Sequence, residues 1–371
     1  MKIRTYADLH LFKVKGEMTR YINEELQILK EGLLNNPPDL LVFCGDLTDR
    51  PYPSDDNRFI ETMNFISDVV RICESKRIHF RMIQGTASHD GKIVEILKNL
   101  YKGYNYVKFF TTVTYETIDG IDFRYIPESY FGTYSEFRKY AFDDKISDIT
   151  FFHGCVSNIV PFKQEKKDSN ITNLPKSITI ELSDIINHTR LFSAGGHIHK
   201  HINYKNKVFY INSLTTMNYA DIDDIKGYME FEVTKNNYTF KYIPNYNAPK
   251  YLERIIDDIH LISNSDMRTK ISSILLEIDS RDHIRFTVSG KKDFNGMSNL
   301  SLLKIMLKKY KFNIKTVMED EELKNSLSDT IDFYTDNSIP ISEKIQKLLE
   351  ENYHKDVTIE EIEDMIYNKW L

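Results

Sequence analysis

The stretch SAGGHIHKH, residues 193–201, places two histidines one residue apart, directly after an apolar run and two glycines. In an extended segment, residues i and i+2 point to the same side, so His197 and His199 are predicted to face one small volume. The glycines would let the backbone approach whatever fills that volume. A metal ion is one candidate, and a polar loop with surface histidines is the other. The rest of the chain decides between them, because a metal ion needs further ligands.

Similar polar residues occur at the ends of other predicted strands. They are Asp8 and His10 after 2–6, Asp46 after 40–45, His89 and Asp90 after 78–85, and His153 at the end of its own apolar run. In open α/β sheets, the carboxyl ends of the strands form the ligand crevice. Any one of these residues alone would be read as a turn residue, a helix cap or a core histidine. Their recurrence at five strand ends predicts one shared site.

The composition is that of an ordinary globular protein. The chain has 371 residues, of which 41% are hydrophobic and 28% charged, enough for two domains or for one large domain with an appendage. Three isolated cysteines favour a reducing, cytoplasmic compartment and argue against a disulfide scaffold or a thiolate metal site. The N-terminus lacks the apolar segment of a secretory signal, and no apolar run approaches membrane-spanning length. With a net charge of -6, any binding of nucleic acid must use local basic patches.

Strand-like and helix-like segments alternate along the first part of the chain. Helical periodicity covers 17–34, 58–73 and 92–101, whereas apolar, strand-like runs cover 2–6, 40–45, 78–85, 107–118, 121–126, 149–154, 190–196 and 208–213. A hairpin is predicted over 228–243. Strand, helix and strand with short connections indicate parallel β-α-β units covered on both faces.

The character of the chain changes near 245–249, and we predict a first domain over 1–247. A small α+β capping domain is predicted over 248–330, with helical segments at 251–277 and 300–310 and strands at 283–290 and 312–317. A helical tail is predicted over 331–371. Its apolar residues would dock either on a partner helix or on the chain's own small domain.

The residue types of the predicted site suit a particular chemistry. Mixed carboxylate and imidazole ligands favour manganese, iron or zinc over an all-oxygen magnesium or calcium cage. A carboxylate can bridge two cations, and two cations about 4 Å apart can hold a bridging hydroxide together with the oxygens of a phosphate ester.

The motifs D-x-H, G-D, a loop ending in H-D, a strand-end H and G-H-x-H occur in this order over residues 1–215. In this order they resemble the calcineurin-like metallophosphoesterases. The resemblance implies an α/β sandwich of two mixed β-sheets flanked by helices. It also implies two divalent metal ions, with Mn²⁺ expected. The implied ligands are Asp8, His10 and His199 for the first ion, His153 and His197 for the second, and Asp46 for both.

The predicted small domain and tail are similar to those of SbcD-type recombination nucleases, which work with a coiled-coil ATPase of the SbcC type. This resemblance implies DNA and such an ATPase as partners. It further implies a homodimer through the helices at 58–73 and 92–101, whose apolar residues exceed what one sheet face needs.

The third motif departs from the family pattern G-N-H-[DE]. Here the loop reads GTASHD, residues 85–90, which is two residues longer and has Ser88 before the histidine. Ser88 would ligate the second metal directly, hold it through water, or leave that position open. His89 would protonate the leaving-group oxygen, with Asp90 fixing its tautomer. Viral SbcD-like nucleases resemble this variant loop, which would place the protein in a host cytoplasm.

The leading functional hypothesis is a metal-dependent DNA exonuclease and endonuclease subunit of a repair and recombination complex. Basic residues flank the site motifs and are candidate phosphate contacts. They are Lys163, Lys166, Lys167, Lys200, Lys205 and Lys207. The alternatives are a phosphatase or phosphodiesterase acting on small molecules or proteins, and an inactive metal-bound scaffold that recruits the ATPase.

Overall fold

Residues 1–12, 18–143, 145–159, 177–222, 224–279 and 281–319, together with 340, 343–344 and 347, are described by the computed structural model. The chain divides into two compact units, Met1–Tyr251 and Leu252–Leu371. The boundary predicted after 247 lies a few residues before this division. Nearly all of the predicted helical tail lies outside the described residues.

In the described part of the first unit, strands and helices alternate as far as residue 110, and strands predominate after it. The strands are β1 (Lys2–Tyr6), β2 (Leu40–Cys44), β3 (His79–Ile83), β4 (Val107–Phe110), β5 (Thr114–Ile118), β6 (Ile121–Ile126), β7 (Ser147–His153), β8 (Thr189–Gly196), β9 (Ile202–Tyr204), β10 (Val208–Tyr210), β11 (Gly227–Val233) and β12 (Tyr238–Pro244). The helices are α1 (Met18–Asn35), α2 (Asn57–Lys76), α3 (Ala87–Asp90), α4 (Ile93–Leu100), α5 (Tyr134–Phe142) and α6 (Leu182–Asn187). The strands and helices predicted up to residue 101 are therefore present, with ends shifted by a few residues.

The strands form two mixed six-stranded sheets. The first has the order β12-β11-β1-β2-β3-β4, and the second has the order β5-β6-β7-β8-β10-β9. In the first sheet β1 to β4 are parallel, and in the second β6, β7, β8 and β10 are parallel. The antiparallel pairings involve the edge strands β5, β9 and β12 and the strand β11, which lies between β12 and β1. Mixed sheets flanked by helices fit an α/β fold.

Burial on both faces explains why the parallel strands are continuous apolar runs. One face of the first sheet packs on helices, since Leu29 and Leu33 of α1 and Val69 of α2 share a core with Phe43 and Phe80. The other face of the first sheet packs against a face of the second sheet, and the residues between them form a second core. It includes Val42 and Ile83 from the first sheet and Phe123, Phe151 and Phe192 from the second.

Two predicted segments were wrong in detail. The single strand predicted over 107–118 is broken into β4 and β5, which belong to different sheets. The helix predicted over 251–277 begins instead with a strand, β13 (Tyr251–Ile256), followed by a short 3₁₀ turn and α7 (Asn264–Leu276). Glu253 and Ile255 are exposed, whereas their neighbours Leu252, Arg254 and Ile256 are more buried, which is the alternation of a strand.

The second unit contains β13, α7, β14 (His283–Lys291), α8 (Phe294–Leu307) and β15 (Lys311–Glu319). Its sheet has the order β13-β14-β15, with β14 and β15 parallel. A small core joins Ile284 and Phe286 of the sheet to Ile271 of α7 and Leu303 of α8. Among the described residues of the whole chain, no helix has the length and apolarity required to cross a membrane.

Candidate metal centre

The carboxyl ends of strands from both sheets bring one group of metal-ligating side chains together at Asp8, His10 and His199. The Nε2 atoms of His10 and His199 are 3.1 Å apart. The Nε2 atom of His199 also lies 3.9 Å from Oδ1 of Asp8. The three side chains therefore converge on one point.

A second group consists of Asp46, His153 and His197. Oδ2 of Asp46 lies 3.3 Å from Nε2 of His153. The same oxygen lies 3.6 Å from Nε2 of His10, a member of the first group. Asp46 is thus placed between the two groups.

These separations fit two adjacent divalent ions. Two donors that each lie about 2.0–2.2 Å from one ion are themselves roughly 2.8–3.6 Å apart at octahedral or tetrahedral angles. The donor separations of 3.1, 3.3 and 3.6 Å fall in this range, and the 3.9 Å between His199 and Asp8 lies slightly above it. The donor set of carboxylates and imidazoles also suits transition ions.

The backbone turns sharply at these ligands. Asp8, His10, Asp46 and His197 all have positive φ, between 41° and 88°, a region that non-glycine residues rarely adopt. Such strain costs of order 1–3 kcal/mol per residue and is typically found at functional sites. At Gly45, where φ is 83°, a Cβ atom would overlap the ring of His153, so only glycine allows the two strand ends to meet.

The chain turns at His197. His197 and His199 do not continue an extended strand, because β8 ends at Gly196 and the next residue has a φ of 88°. His197 joins Asp46 and His153, whereas His199 joins Asp8 and His10.

Hydrogen bonds behind the ligands fix their orientation. Nδ1 of His153 lies 2.7 Å from the carbonyl oxygen of Cys44, an acceptor, so that nitrogen carries the proton and Nε2 faces the site. The carboxylate of Asp8 accepts from the backbone N–H of His197 at 2.9 and 3.1 Å. Such outer partners typically hold a ligand in its binding geometry.

The electrostatics of the site stabilise negative carboxylates. Burial raises the pKa of Asp46, but His153 and His10 oppose it and bring that pKa well below its usual range. Burial likewise opposes the charged form of His153, yet the carboxylate of Asp46 raises the pKa of His153 to about 9. A divalent cation would replace these protons as the partner of the carboxylates.

His89 lies beside the first group, but Asp90 does not orient it as predicted. Nδ1 of His89 is 2.5 Å from the carbonyl oxygen of Asp49, which therefore fixes the ring. The buried carboxylate of Asp90 instead accepts from backbone N–H groups of Gly85 at 2.7 Å and Leu47 at 2.8 Å. Asp90 thus joins the loops after β2 and β3.

The loop GTASHD brings a hydroxyl other than that of Ser88 to the second group, which agrees with the alternative in which Ser88 leaves the metal position open. Ser88 is exposed on α3. Thr86, two residues earlier, donates its backbone N–H to Oδ1 of Asp46 at 2.6 Å. Its Oγ1 lies 3.5 Å from Nε2 of His153. The hydroxyl beside the second group is therefore that of Thr86, because the chain enters α3 after Thr86 and turns Ser88 outward.

Sequence reasoning missed Glu128, which follows β6. Its side chain is only 2% exposed, and its Oε2 lies 3.6 Å from Nε2 of His153 and 3.7 Å from Nδ1 of His197. Burial raises the pKa of Glu128, but the hydrogen bond with His197 and the charge of His153 lower it to about 2. One feature of the sequence could have identified Glu128 as a site residue. It follows the predicted strand IDFRYI closely, just as the other ligands follow their strands.

Lys226 is a second missed residue. Its fully buried ammonium donates to the carbonyl oxygen of His199 at 2.9 Å and to the carboxylates of Asp221 at 3.0 Å and Asp224 at 2.8 Å. It therefore fastens the loop that carries His199 to the start of β11.

The predicted phosphate-contacting lysines are divided by the structure. Lys163, Lys166 and Lys167 lie outside the described residues. Lys200 and Lys205 are exposed, whereas the ammonium of Lys207 donates to the carbonyl oxygens of Arg190 and Leu191. Lys207 is thus already engaged in holding β8.

Taken together, the α/β fold and the paired carboxylate–histidine groups are consistent with a metallophosphoesterase. No family model matches the chain. The SbcD component of the SbcCD nuclease from Staphylococcus epidermidis is 26% identical over 294 residues, which cover 70% of this chain and 74% of that protein. The chain is therefore distantly similar to an SbcD nuclease subunit.

The overlaps with solved structures are weak. One crystal structure, 13% identical, gives a TM-score of 0.37 over 65% of this chain and 98% of its own. The glutamine-dependent NAD⁺ synthetase from Acinetobacter baumannii in complex with ADP, 10% identical, gives 0.32 over 93% and 70%. These scores are too low to indicate a shared fold.

Proposed function

We propose that this protein is a metal-dependent DNA nuclease, the exonuclease and endonuclease subunit of a repair and recombination complex. The observation that carries the proposal is the position of Asp46, whose Oδ2 lies 3.3 Å from His153 and 3.6 Å from His10, between two groups of ligands. The distant similarity to an SbcD nuclease subunit supports DNA as the substrate.

In the proposed centre, each ligand group holds one divalent ion. Asp8, His10 and His199 would hold the first, His153 and His197 the second, and Asp46 both. The two ions would supply the attacking hydroxide and neutralise charge on the phosphodiester. Mn²⁺ is the expected ion because the ligand set contains four imidazoles, which favour transition ions over Mg²⁺.

His89 is proposed to donate a proton to the leaving oxygen. Because its Nδ1 faces the carbonyl oxygen of Asp49, Nε2 is the atom available for that transfer. Its ring centroid lies 4.6 Å from that of His10, which places it at the edge of the centre.

The proposed partners are DNA and an ATPase of the SbcC type, with a homodimer of this chain as the working form. The similarity to the SbcD component of an SbcCD nuclease supports the ATPase, since that nuclease is named for both of its components. Exposed Lys200 and Lys205 are proposed contacts for DNA phosphates.

Two other functions use the same centre. A phosphatase or phosphodiesterase of small molecules or proteins would need the same pair of ions, and a scaffold for the ATPase would need the fold alone. The distant similarity to a nuclease subunit favours the DNA substrate over both.

The test is a nuclease assay of the full chain on end-labelled linear duplex DNA, with Mn²⁺, with Mg²⁺ or with no added metal. We expect cleavage that requires metal and is faster with Mn²⁺. A parallel assay on p-nitrophenyl phosphate esters decides the alternative: rapid turnover there without DNA cleavage would contradict the proposal. Retained ATPase binding without any hydrolysis would indicate the scaffold.

A further inference from the structure

Glu128 occupies the position from which the second metal site could gain one more oxygen ligand. Its carboxylate comes from the end of β6 in the second sheet, beside β7, which ends in His153. Its buried Oε2 faces both histidines of the second group, at 3.6 and 3.7 Å. These separations match those between the ligands already assigned to one ion.

Proton positions exclude a simple hydrogen bond between Glu128 and neutral His153. Because Nδ1 of His153 donates to the carbonyl oxygen of Cys44, Nε2 of the neutral ring carries a lone pair. Oδ2 of Asp46 and Oε2 of Glu128 both point towards that lone pair. Two buried carboxylates that converge on this nitrogen need positive charge beside them, which either a proton on Nε2 or a metal ion supplies.

The rest of the side chain is held in place by neighbouring hydroxyls. Thr86 donates from Oγ1 to Oε2 at 2.6 Å, and Tyr130 donates from its hydroxyl to Oε1 at 3.4 Å. The carboxylate is therefore oriented before any ion binds, which reduces the cost of ordering it as a ligand.

We propose that Glu128 is a ligand of the second metal ion and supplies the oxygen donor that the third motif lacks. With Glu128 included, each ion has two imidazoles and two carboxylates, Asp46 being shared. A charged carboxylate then stands in for a neutral amide, so the second site is not weakened by the loss of asparagine. This inference rests on the proposed two-metal centre.

The test is a Mn²⁺ titration of the metal-free full chain by calorimetry, with the paired-ion signal followed by electron paramagnetic resonance. We expect two ions for the parent. Glu128→Gln keeps the size of the side chain but removes its charge. Because even outer partners of a ligand are worth about 10–100-fold in affinity, the second dissociation constant should rise by at least about tenfold. The first dissociation constant should stay unchanged.

The matched control is Ser88→Ala, which removes the rival oxygen donor of the same region and should leave both dissociation constants unchanged. Glu128→Asp is the second variant: it keeps the charge but shortens the reach, and should weaken only the second site. Thermal unfolding of each metal-free variant establishes that it is folded.

Equal second-site affinity in Glu128→Gln and the parent would overturn the inference, as would a parent that binds fewer than two ions. A parent that binds two Mn²⁺ ions but cleaves no DNA would instead contradict the proposed nuclease. In that case the titration still decides the role of Glu128.

Discussion

Asp46 is the residue on which both ligand groups depend. It is buried, its Oδ2 faces a histidine of each group, and the positive φ of 52° aims it across the crevice. Replacing it removes a ligand from both proposed ions at once, which no other single side chain of the two groups would do.

We therefore predict that Asp46→Ala abolishes hydrolysis and lowers the metal content below two ions per chain, while the fold survives. The measurements are elemental analysis, circular dichroism and the DNA cleavage assay. A folded variant with near-parental activity in Mn²⁺ would show that Asp46 does not bridge the centre.

The ring of His89 is fixed by the carbonyl oxygen of Asp49 at Nδ1, which leaves Nε2 for the proposed proton transfer. We predict that His89→Ala keeps both ions and slows the chemical step by about 10²–10⁴-fold, the usual contribution of general acid catalysis. A phosphodiester with a very good leaving group should recover much of the lost rate, because it needs no proton. If metal content falls together with activity, His89 is a ligand and not an acid.

At the scale of elements, the segment between β3 and α4 is held in place by the side chain of Asp90, which lies near its C-terminal end. The carboxylate of Asp90 accepts from backbone N–H groups of Gly85 and Leu47, and from that of Asp46 at 3.2 Å. These donors are buried, so the loss of their acceptor leaves them without compensation. Asp90 thus determines where both Asp46 and Thr86 stand.

We predict that Asp90→Ala lowers the free energy of unfolding by about 2–4 kcal/mol, because a buried donor left without its acceptor costs about 1–3 kcal/mol. Urea denaturation of the metal-free protein measures this change. Asp90→Asn, which keeps one acceptor oxygen, should lose less. If Asp90→Ala leaves the stability unchanged but removes the pH dependence of DNA cleavage, Asp90 orients His89, as the sequence predicted.

At the scale of the whole molecule, the structure narrows the surface available for a homodimer. Several apolar residues of the two helices proposed for it lie instead in the core of the first unit. They are Ile66, Val70, Ile93 and Leu97. These four residues pack inside the first unit, so they are not available to form a dimer interface as predicted. Ile60, Ile96 and Leu100 remain exposed on the same helices.

We predict that the double variant Ile96→Asp, Leu100→Asp converts a dimer into a monomer without loss of thermal stability. Both side chains are exposed, at 41% and 56%, so the charges meet water in the isolated chain. Light scattering at micromolar concentration measures the mass. The matched control is Ile146→Asp, a 64% exposed position elsewhere in the first unit, which should remain dimeric. A monomeric parent would contradict the dimer itself.

The sequence by itself determined the alternation of strands and helices in the first part of the chain. It also marked the strand ends at which Asp8, Asp46, His153 and His197 lie. Both follow from local physics: apolar periodicity selects the element, and polar residues after buried strands meet at one sheet edge. The helix predicted over 251–277 failed where such a local pattern was ambiguous.

Only the tertiary structure decided which donors stand beside the second group. Glu128 reaches His153 because β6 pairs with β7, and Thr86 reaches it because the ends of the two sheets meet. The spacing of residues along the sequence predicts neither contact. The sequence motif suggested Ser88 as a metal ligand because it precedes His89. In the structure Ser88 lies on α3 and is exposed at the surface. Likewise, Asp90 bonds to backbone groups more than 40 residues away in sequence. Long-range pairing sets these contacts, so the sequence pattern could mark the site but not complete its set of ligands.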